Sequence, residues 1–367
     1  MLIKNSATNT STATNINRKD ILIAMGLAIT EILNPTEISI EDLKNKTLAV
    51  DTYNLLYQFL SSIRQADGSL LMDSKGRVTS HLTGLFHRIT RLMGYNMKFI
   101  FCFDGKAPHL KGMERERRKE LKIEAQKKYD EAAKEEDVEG MKKFAARTSR
   151  LTTEMIEDAK ELIRALGQCI VEAPSEGEAQ ASYIVKKGDA DYVLSQDADC
   201  FMFGATRLVK NLTISGKRKK PGAYAYDEVM PEVITLREVL KELELDQDQL
   251  IVLGILVGTD YNVGGIKGIG PKKALTLIKK HGHNFDEIFK EAKWDESFDY
   301  PWKEVFDLIK HMAVSDDYKL EWKPIDKEQV IKVLVEEHDF GRERIENALA
   351  KLQESTIKKQ KGLGEFF

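Results

Sequence analysis

The stretch YVLSQDADC runs from Tyr192 to Cys200. An apolar β-rich run ends there on two aspartates, Asp197 and Asp199, two residues apart. Alone the pair carries little weight: with 59 acids in 367 residues, about nine acid-x-acid pairs arise by chance. The ending recurs, however. LAVD closes at Asp51 and FIFCFD at Asp104. A fourth apolar run, Cys169–Val171, leads through Glu172-Ala173-Pro174 into Ser175-Glu176-Gly177-Glu178.

Candidate strands are Thr47–Val50, Phe99–Phe103, Cys169–Val171, Tyr192–Leu194 and Arg207–Leu212. They alternate with helical patterns from Lys46 to about Val263, which predicts an α/β fold with a mostly parallel central sheet flanked by helices. Ligands of open parallel sheets sit at the carboxyl ends of the strands, so these acids are expected to converge on one edge. Each has a plain alternative. An aspartate after a strand is often a turn or N-cap residue, and Ser175-x-x-Glu178 reads as a capping box with Glu176 in the first turn. Two carboxylates ~6 Å apart repel by about 3 kcal/mol at an effective dielectric of ~20. Five or more together must lift one another's pKa values or hold cations. With oxygen donors only, and no His or Cys nearby in sequence, the cation should be Mg²⁺ or Mn²⁺ rather than Zn²⁺. Two such ions suit phosphodiester hydrolysis.

The composition permits this. Apolar residues at 42% and charged residues at 31% describe a globular chain with a charged surface. Cys102, Cys169 and Cys200 lie in or beside apolar runs without a C-x-x-C pair, which predicts free thiols in a reducing compartment. The net charge is −3; with seven carboxylates held by cations, the remainder would carry −3 + 7 = +4. No run reaches the ~18 apolar residues of a membrane span. The nine apolar residues Ile21 to Ile29 follow a polar, Ser/Thr/Asn-rich stretch that fits a secretory signal poorly, and residues 1 to 20 read as disordered.

Two further regions point to nucleic acid. After an apolar helix, Gln249–Val257, comes GTDYNVGGIKGIGPKKAL, with Pro271 suited to open the next helix. Gly268 and Gly270 let the backbone approach a partner closely, exposed amides there attract phosphate, and Lys267, Lys272 and Lys273 add charge. Such a turn joins the helices of a helix-hairpin-helix DNA anchor; an ordinary interhelix turn is the alternative. Asp260 could add another metal ligand beside it. In the charged region 111–150, Lys111, Arg115, Arg118 and Lys122 fall on one helical face. They could grip phosphates or form a solvated face.

Assembled, these residues resemble the flap endonuclease family of structure-specific 5′ nucleases, in its archaeal form, from about Met25 to the C-terminus. VDTYNLLYQFLSSIRQ, TSHLTGLFHR, FCFDGKAPHLK, EAPSEGEAQA, SQDADCFMFG, VGTDYN and GIKGIGPKKAL carry the resemblance. It implies a PIN-like 5′-nuclease fold with a helical arch, and two-metal cleavage near a flap/duplex junction with associated 5′-3′ exonuclease activity. The implied role is Okazaki-fragment maturation and base-excision repair. Asp51, Asp104, Glu176, Glu178, Asp197, Asp199 and Asp260 match the family's metal-site carboxylates. Lys111 and Arg118 match the basic residues that steer and polarise the scissile phosphate. Tyr57 matches an aromatic that stacks on a base, core packing being its equal alternative, and Arg64 would lie near the DNA. HDFGRERIENAL, with Arg344, falls where the family binds a one-nucleotide 3′ flap. Mg²⁺, replaceable by Mn²⁺, is the implied cofactor, with K⁺ a further candidate at the hairpin turn.

The resemblance divides the chain into an extension 1–24, one nuclease domain 25–353 and a tail 354–367. The domain comprises regions 25–125 and 151–260, an arch 111–150, and the hairpin with C-terminal helices, 261–353. The last dozen residues leave the helical pattern near Glu354. Their QKGLGEFF matches a sliding-clamp motif, with Gln360 anchoring a turn that groups Leu363, Phe366 and Phe367. Family members commonly begin Met-Gly; here Met25-Gly26 stands in that place, and translation from Met25 is the simpler reading. A monomer acting on branched DNA, cytoplasmic and away from membranes, is expected. The rivals are a PIN-like ribonuclease or related exonuclease, and a noncatalytic clamp adaptor that binds DNA.

Overall fold

The structure, a computed structural model, describes residues 33–65, 67–135, 137–145, 148–219 and 226–364. Met25-Gly26, the extension before it, and Phe366 and Phe367 lie outside them. Seven strands form the central sheet: β1 (Thr36–Glu37), β2 (Thr47–Asp51), β3 (Lys98–Phe103), β4 (Cys169–Glu172), β5 (Tyr192–Leu194), β6 (Arg207–Lys210) and β9 (Glu232–Thr235). Their order is β1-β9-β6-β5-β2-β3-β4. The five strands from β6 to β4 run parallel, and β9 and β1 add an antiparallel edge. A separate hairpin pairs β7 (Gly216–Lys219) with β8 (Tyr226–Val229).

Sequence dictates why this sheet is central. In β3 every residue after Lys98 is buried, as expected of a parallel strand covered on both faces. The period of two sorts its side chains. Ala49, Ile100 and Cys102 join one core, while Leu48, Val50, Phe99, Phe101 and Phe103 join the other. The second core is closed by α1 (Thr52–Ser62), α2 (Ser80–Met93) and α5 (Thr153–Ala165). Phe59 is fully buried there, its ring in the space that a Cβ on Gly84 would fill; Phe→Ala in such a place costs about 3–5 kcal/mol. The first core holds α6 (Gly177–Lys187), α8 (Gln247–Val257) and α9 (Pro271–His281). No described helix is long and apolar enough to cross a membrane.

Four local expectations are corrected. The strand predicted to Leu212 ends at Lys210, because Asn211 takes the left-handed conformation, φ 60°, and opens a 3₁₀ turn. Ser175 does not cap α6: Glu176 holds that position without a side-chain cap, and the Ser175 hydroxyl donates to the Lys106 carbonyl. Lys111 lies in a 3₁₀ turn, His109–Lys111, so it precedes the helix that carries Arg115, Arg118 and Lys122. Helix α13 (Arg342–Gly364) continues through Glu354, Gln360 and Leu363 instead of stopping.

The charged region forms two helices packed on one another, α3 (Gly112–Lys134) and α4 (Val138–Ala145). Among the side chains described there, the buried apolar ones are Ala125, Ala132 and Ala145. Such small side chains offer little apolar area, which is why no strong apolar stripe shows in the sequence.

Candidate active site

Asp51, Asp104, Glu176 and Asp197 all lie at the carboxyl end of the parallel sheet. Asp51 ends β2, paired in register with Cys102 of β3, so Asp104 emerges beside it. Asp51 also caps α1, accepting the Asn54 N–H at 3.2 Å. Asp104 accepts the Gly177 N–H at 2.7 Å, which fixes the start of α6 and with it Glu176 and Glu178. Asp197 follows β5 and accepts the Asp199 N–H at 3.2 Å. Capping and clustering thus coexist, because a helix start is where a carboxylate is held rigidly.

The electrostatics register the crowding. Burial, then the charges of Asp104 and Asp197, push the Asp51 carboxyl up to about 7. Burial and Glu176 lift Asp104 to about 6. Burial, Asp197, Asp199 and Asp51 lift Glu178 well above the carboxylate range, and burial raises Asp197, with Asp260 adding to it. The charges of the other acids thus reach Asp51, Asp104, Glu178 and Asp197. Glu178 Oε1 is buried without a hydrogen-bond partner, a position that a cation would satisfy.

Two cations of the chain face the same cleft. Lys111 Nζ stands 2.5 Å from Glu176 and 3.3 Å from Asp260. Burial works against its charge, yet Glu176 and Asp260 hold its pKa above the ordinary lysine value. Arg118 reaches Asp260 at 2.6 Å through Nη2, while its Nε donates to Glu114 at 2.5 Å. As the side chains stand, no three His, Cys, Asp or Glu among the described residues converge on one point; Glu176 and Asp260 are turned to Lys111 and Arg118 instead. Within the rim, Lys111 and Arg118 are the cations paired with Glu176 and Asp260. The donor set, carboxylate oxygens with one orphaned buried acceptor, fits a hard divalent ion.

The remaining predicted residues surround this rim. Tyr57 is half-buried on α1, with Lys122 Nζ 4.7 Å from its ring centroid, so it faces α3 rather than the core. Arg64 turns inward: it donates to the Gly68 carbonyl at 2.8 Å and to Ser149 Oγ at 2.5 Å, tying a loop to the end of the charged region. Lys267, Gly268, Gly270, Lys272 and Lys273 are all exposed, and Gly268 takes φ +79° with Pro271 opening α9. The turn is pinned from beneath by buried Asn262, whose amide donates to the Ile255 carbonyl at 2.7 Å and accepts from Thr259 Oγ1 at 2.7 Å. Exposed Arg344 lines two adjoining cavities with His87, one of about 490 Å³ that also touches Met72, His338 and Phe340.

Glu114, Asn262 and Ser149 were not singled out by sequence. Glu114 could have been, since it stands four residues before Arg118, and so could Asn262, whose partners Thr259 and Ile255 lie three and seven residues earlier; Ser149 meets Arg64 from 85 residues away, with no local signature.

Residues 25–125 match the family model described as the XPG N-terminal domain, and residues 167–260 match the XPG I-region. The chain is 48% identical over 334 residues to flap endonuclease 1 of Hyperthermus butylicus, covering 90% of this chain and 95% of that protein. Flap endonuclease 1 of Pyrococcus furiosus is 49% identical over 331 residues, covering 90% and 96% respectively. This chain belongs to the flap endonuclease family. Among solved structures, flap endonuclease-1 from Methanococcus jannaschii superposes with a TM-score of 0.71 at 41% identity, covering 91% of this chain and 100% of that one. The Rad2 catalytic core, solved with a DNA substrate, shares the fold with a TM-score of 0.67 at 24% identity, over 89% of this chain and 99% of that one. The flap endonuclease family is one of metal-dependent, structure-specific DNA nucleases, and this chain is such a nuclease, a hydrolase of DNA replication and repair.

Proposed function

We propose that Asp51, Asp104, Glu176, Glu178, Asp197, Asp199 and Asp260 hold two Mg²⁺ ions, replaceable by Mn²⁺, at the rim of the sheet. The observation that carries this reading is the buried, partnerless oxygen of Glu178 among carboxylates lifted by burial and by one another's charge. When bound, the ions supply charge neutralisation on the phosphate and a water of lowered pKa. The chain's own residues do the rest. Lys111 and Arg118 leave Glu176 and Asp260 for the scissile phosphate, a planar guanidinium suiting its oxygens. Tyr57 stacks on a base beside the cut and the lysines of the 258–275 turn hold duplex phosphates, with K⁺ as an added ion there. Arg344 lines a pocket for a single 3′ nucleotide.

In this reading the partner is branched DNA with a 5′ flap, cut near the junction, by a monomer acting in the cytoplasm. One nuclease domain spans 25–353, with 111–150 as arch. The tail from Gln360 to Phe367 docks on a sliding clamp. Cleavage of a 5′ flap, a blunt duplex and single-stranded RNA, each with and without Mg²⁺, tests it. Preference for the flap supports the proposal, and equal cleavage of RNA overturns it in favour of a ribonuclease. Asp199→Asn should abolish hydrolysis and retain DNA binding; unchanged hydrolysis would remove the carboxylates from the mechanism.

A further inference from the structure

Glu114 lies in the first turn of α3 with 3% of its side chain exposed. Arg117 donates to it through Nε and Nη2 at 2.6 and 2.7 Å, and Arg118 through Nε at 2.5 Å. A buried carboxylate stripped of such partners is strongly destabilising, so the guanidinium groups keep it charged. Burial opposes that charge, but the hydrogen bond from Arg117 and the charge of Arg118 hold its pKa below the ordinary value.

Helix stabilisation by i,i+3 and i,i+4 pairing would account for the bonds of Arg117 and Arg118 to Glu114. It does not account for the second contact of Arg118, whose Nη2 crosses to Asp260 Oδ1 at 2.6 Å, in the cleft of the carboxylates. Arg118 is therefore held to Glu114 at Nε, with Nη2 available for exchange. A planar guanidinium anchored at Nε has less freedom to turn, so a phosphate oxygen replacing Asp260 meets a donor already aimed.

We propose that Glu114 is a positioning residue that aims Arg118 at the phosphate being cut. The inference rests on the reading of Arg118 as a phosphate contact. Single-turnover cleavage of a 5′-flap substrate by full-length Glu114→Gln, Glu114→Asp, Arg118→Ala and the Glu114→Gln/Arg118→Ala double variant tests it. Flap affinity is measured alongside in Ca²⁺.

Glu114→Gln should slow cleavage by about tenfold or more while affinity changes by less than about threefold. Glu114→Asp, which keeps the charge, should recover part of the rate. The double variant should be no slower than Arg118→Ala, because both changes remove one function. Multiplying losses in the double variant, or an Asp variant as slow as the Gln variant, would overturn the role of Glu114 alone. If Arg118→Ala cleaves at the unmodified rate, the phosphate-contact reading falls and takes this inference with it.

Discussion

Asp104 Oδ1 accepts the backbone N–H of Gly177 at 2.7 Å, so the aspartate that closes β3 also caps the helix bearing Glu178. A carboxylate at a helix N-terminus is favoured by the exposed amides and the dipole. Here that local preference joins two acids of the rim into one rigid unit.

Gly177 has no room for a side chain: a Cβ would stand 2.8 Å from the Cys102 carbonyl oxygen and 2.9 Å from Asp104 Oδ1. Gly177→Ala should destabilise the fold by about 1–3 kcal/mol and lower turnover by displacing Glu178. Urea midpoints and single-turnover rates check both; an unaltered midpoint would show that the junction is not tight.

The raised carboxylates fix the sign of a pH effect. Asp51 and Asp104 titrate near 7 and 6 in the fold against 3.8 unfolded. Their stabilising contribution is complete below pH 3.8 and is lost as pH rises towards 7, because the unfolded chain releases those protons more readily. In a chelator, stability should fall by on the order of 3 kcal/mol between pH 5 and 7.5, and Mg²⁺ should restore it at the upper pH. Melting curves with chelator that do not shift down over that range would contradict the buried, ion-free cluster.

Lys272 and Lys273 stand exposed where α9 begins. Replacing both by Ala should weaken flap binding and flatten the dependence of log affinity on log salt by about 0.9 for each phosphate no longer neutralised. The single-turnover rate at saturating enzyme should stay near its original value. An unchanged salt slope would take the turn out of the DNA interface.

Deleting Gln360 to Phe367 should leave basal cleavage intact and abolish stimulation by a sliding clamp. Phe366→Ala or Phe367→Ala alone should cost about 2 kcal/mol of clamp affinity, as anchors of a small interface do. Retained stimulation in the deletion would place the docking surface elsewhere.

The parallel strands β2 to β5 were legible because each is an apolar run ending on a polar turn, and burial on both faces demands that composition. Strands β1 and β9 were not legible. They are short, lie at one edge of the sheet and are paired through distant residues, Thr36 with Val233 and Glu37 with Glu232. The same reasoning explains the cap of α6. Ser175-x-x-Glu178 had the right spacing, but Asp104 supplied the oxygen from 73 residues away.

Which carboxylates follow strands and which lysines flank the glycine turn can be read along the chain, since apolar runs and turn chemistry are local properties. That Glu178 keeps a buried oxygen unpartnered, that Arg118 spans Glu114 and Asp260, and that Arg64 turns towards Ser149 emerge with the folded chain alone. A charged side chain chooses among partners by distance and burial, and residues 142 apart, such as Arg118 and Asp260, become neighbours only when the sheet has brought its ends together.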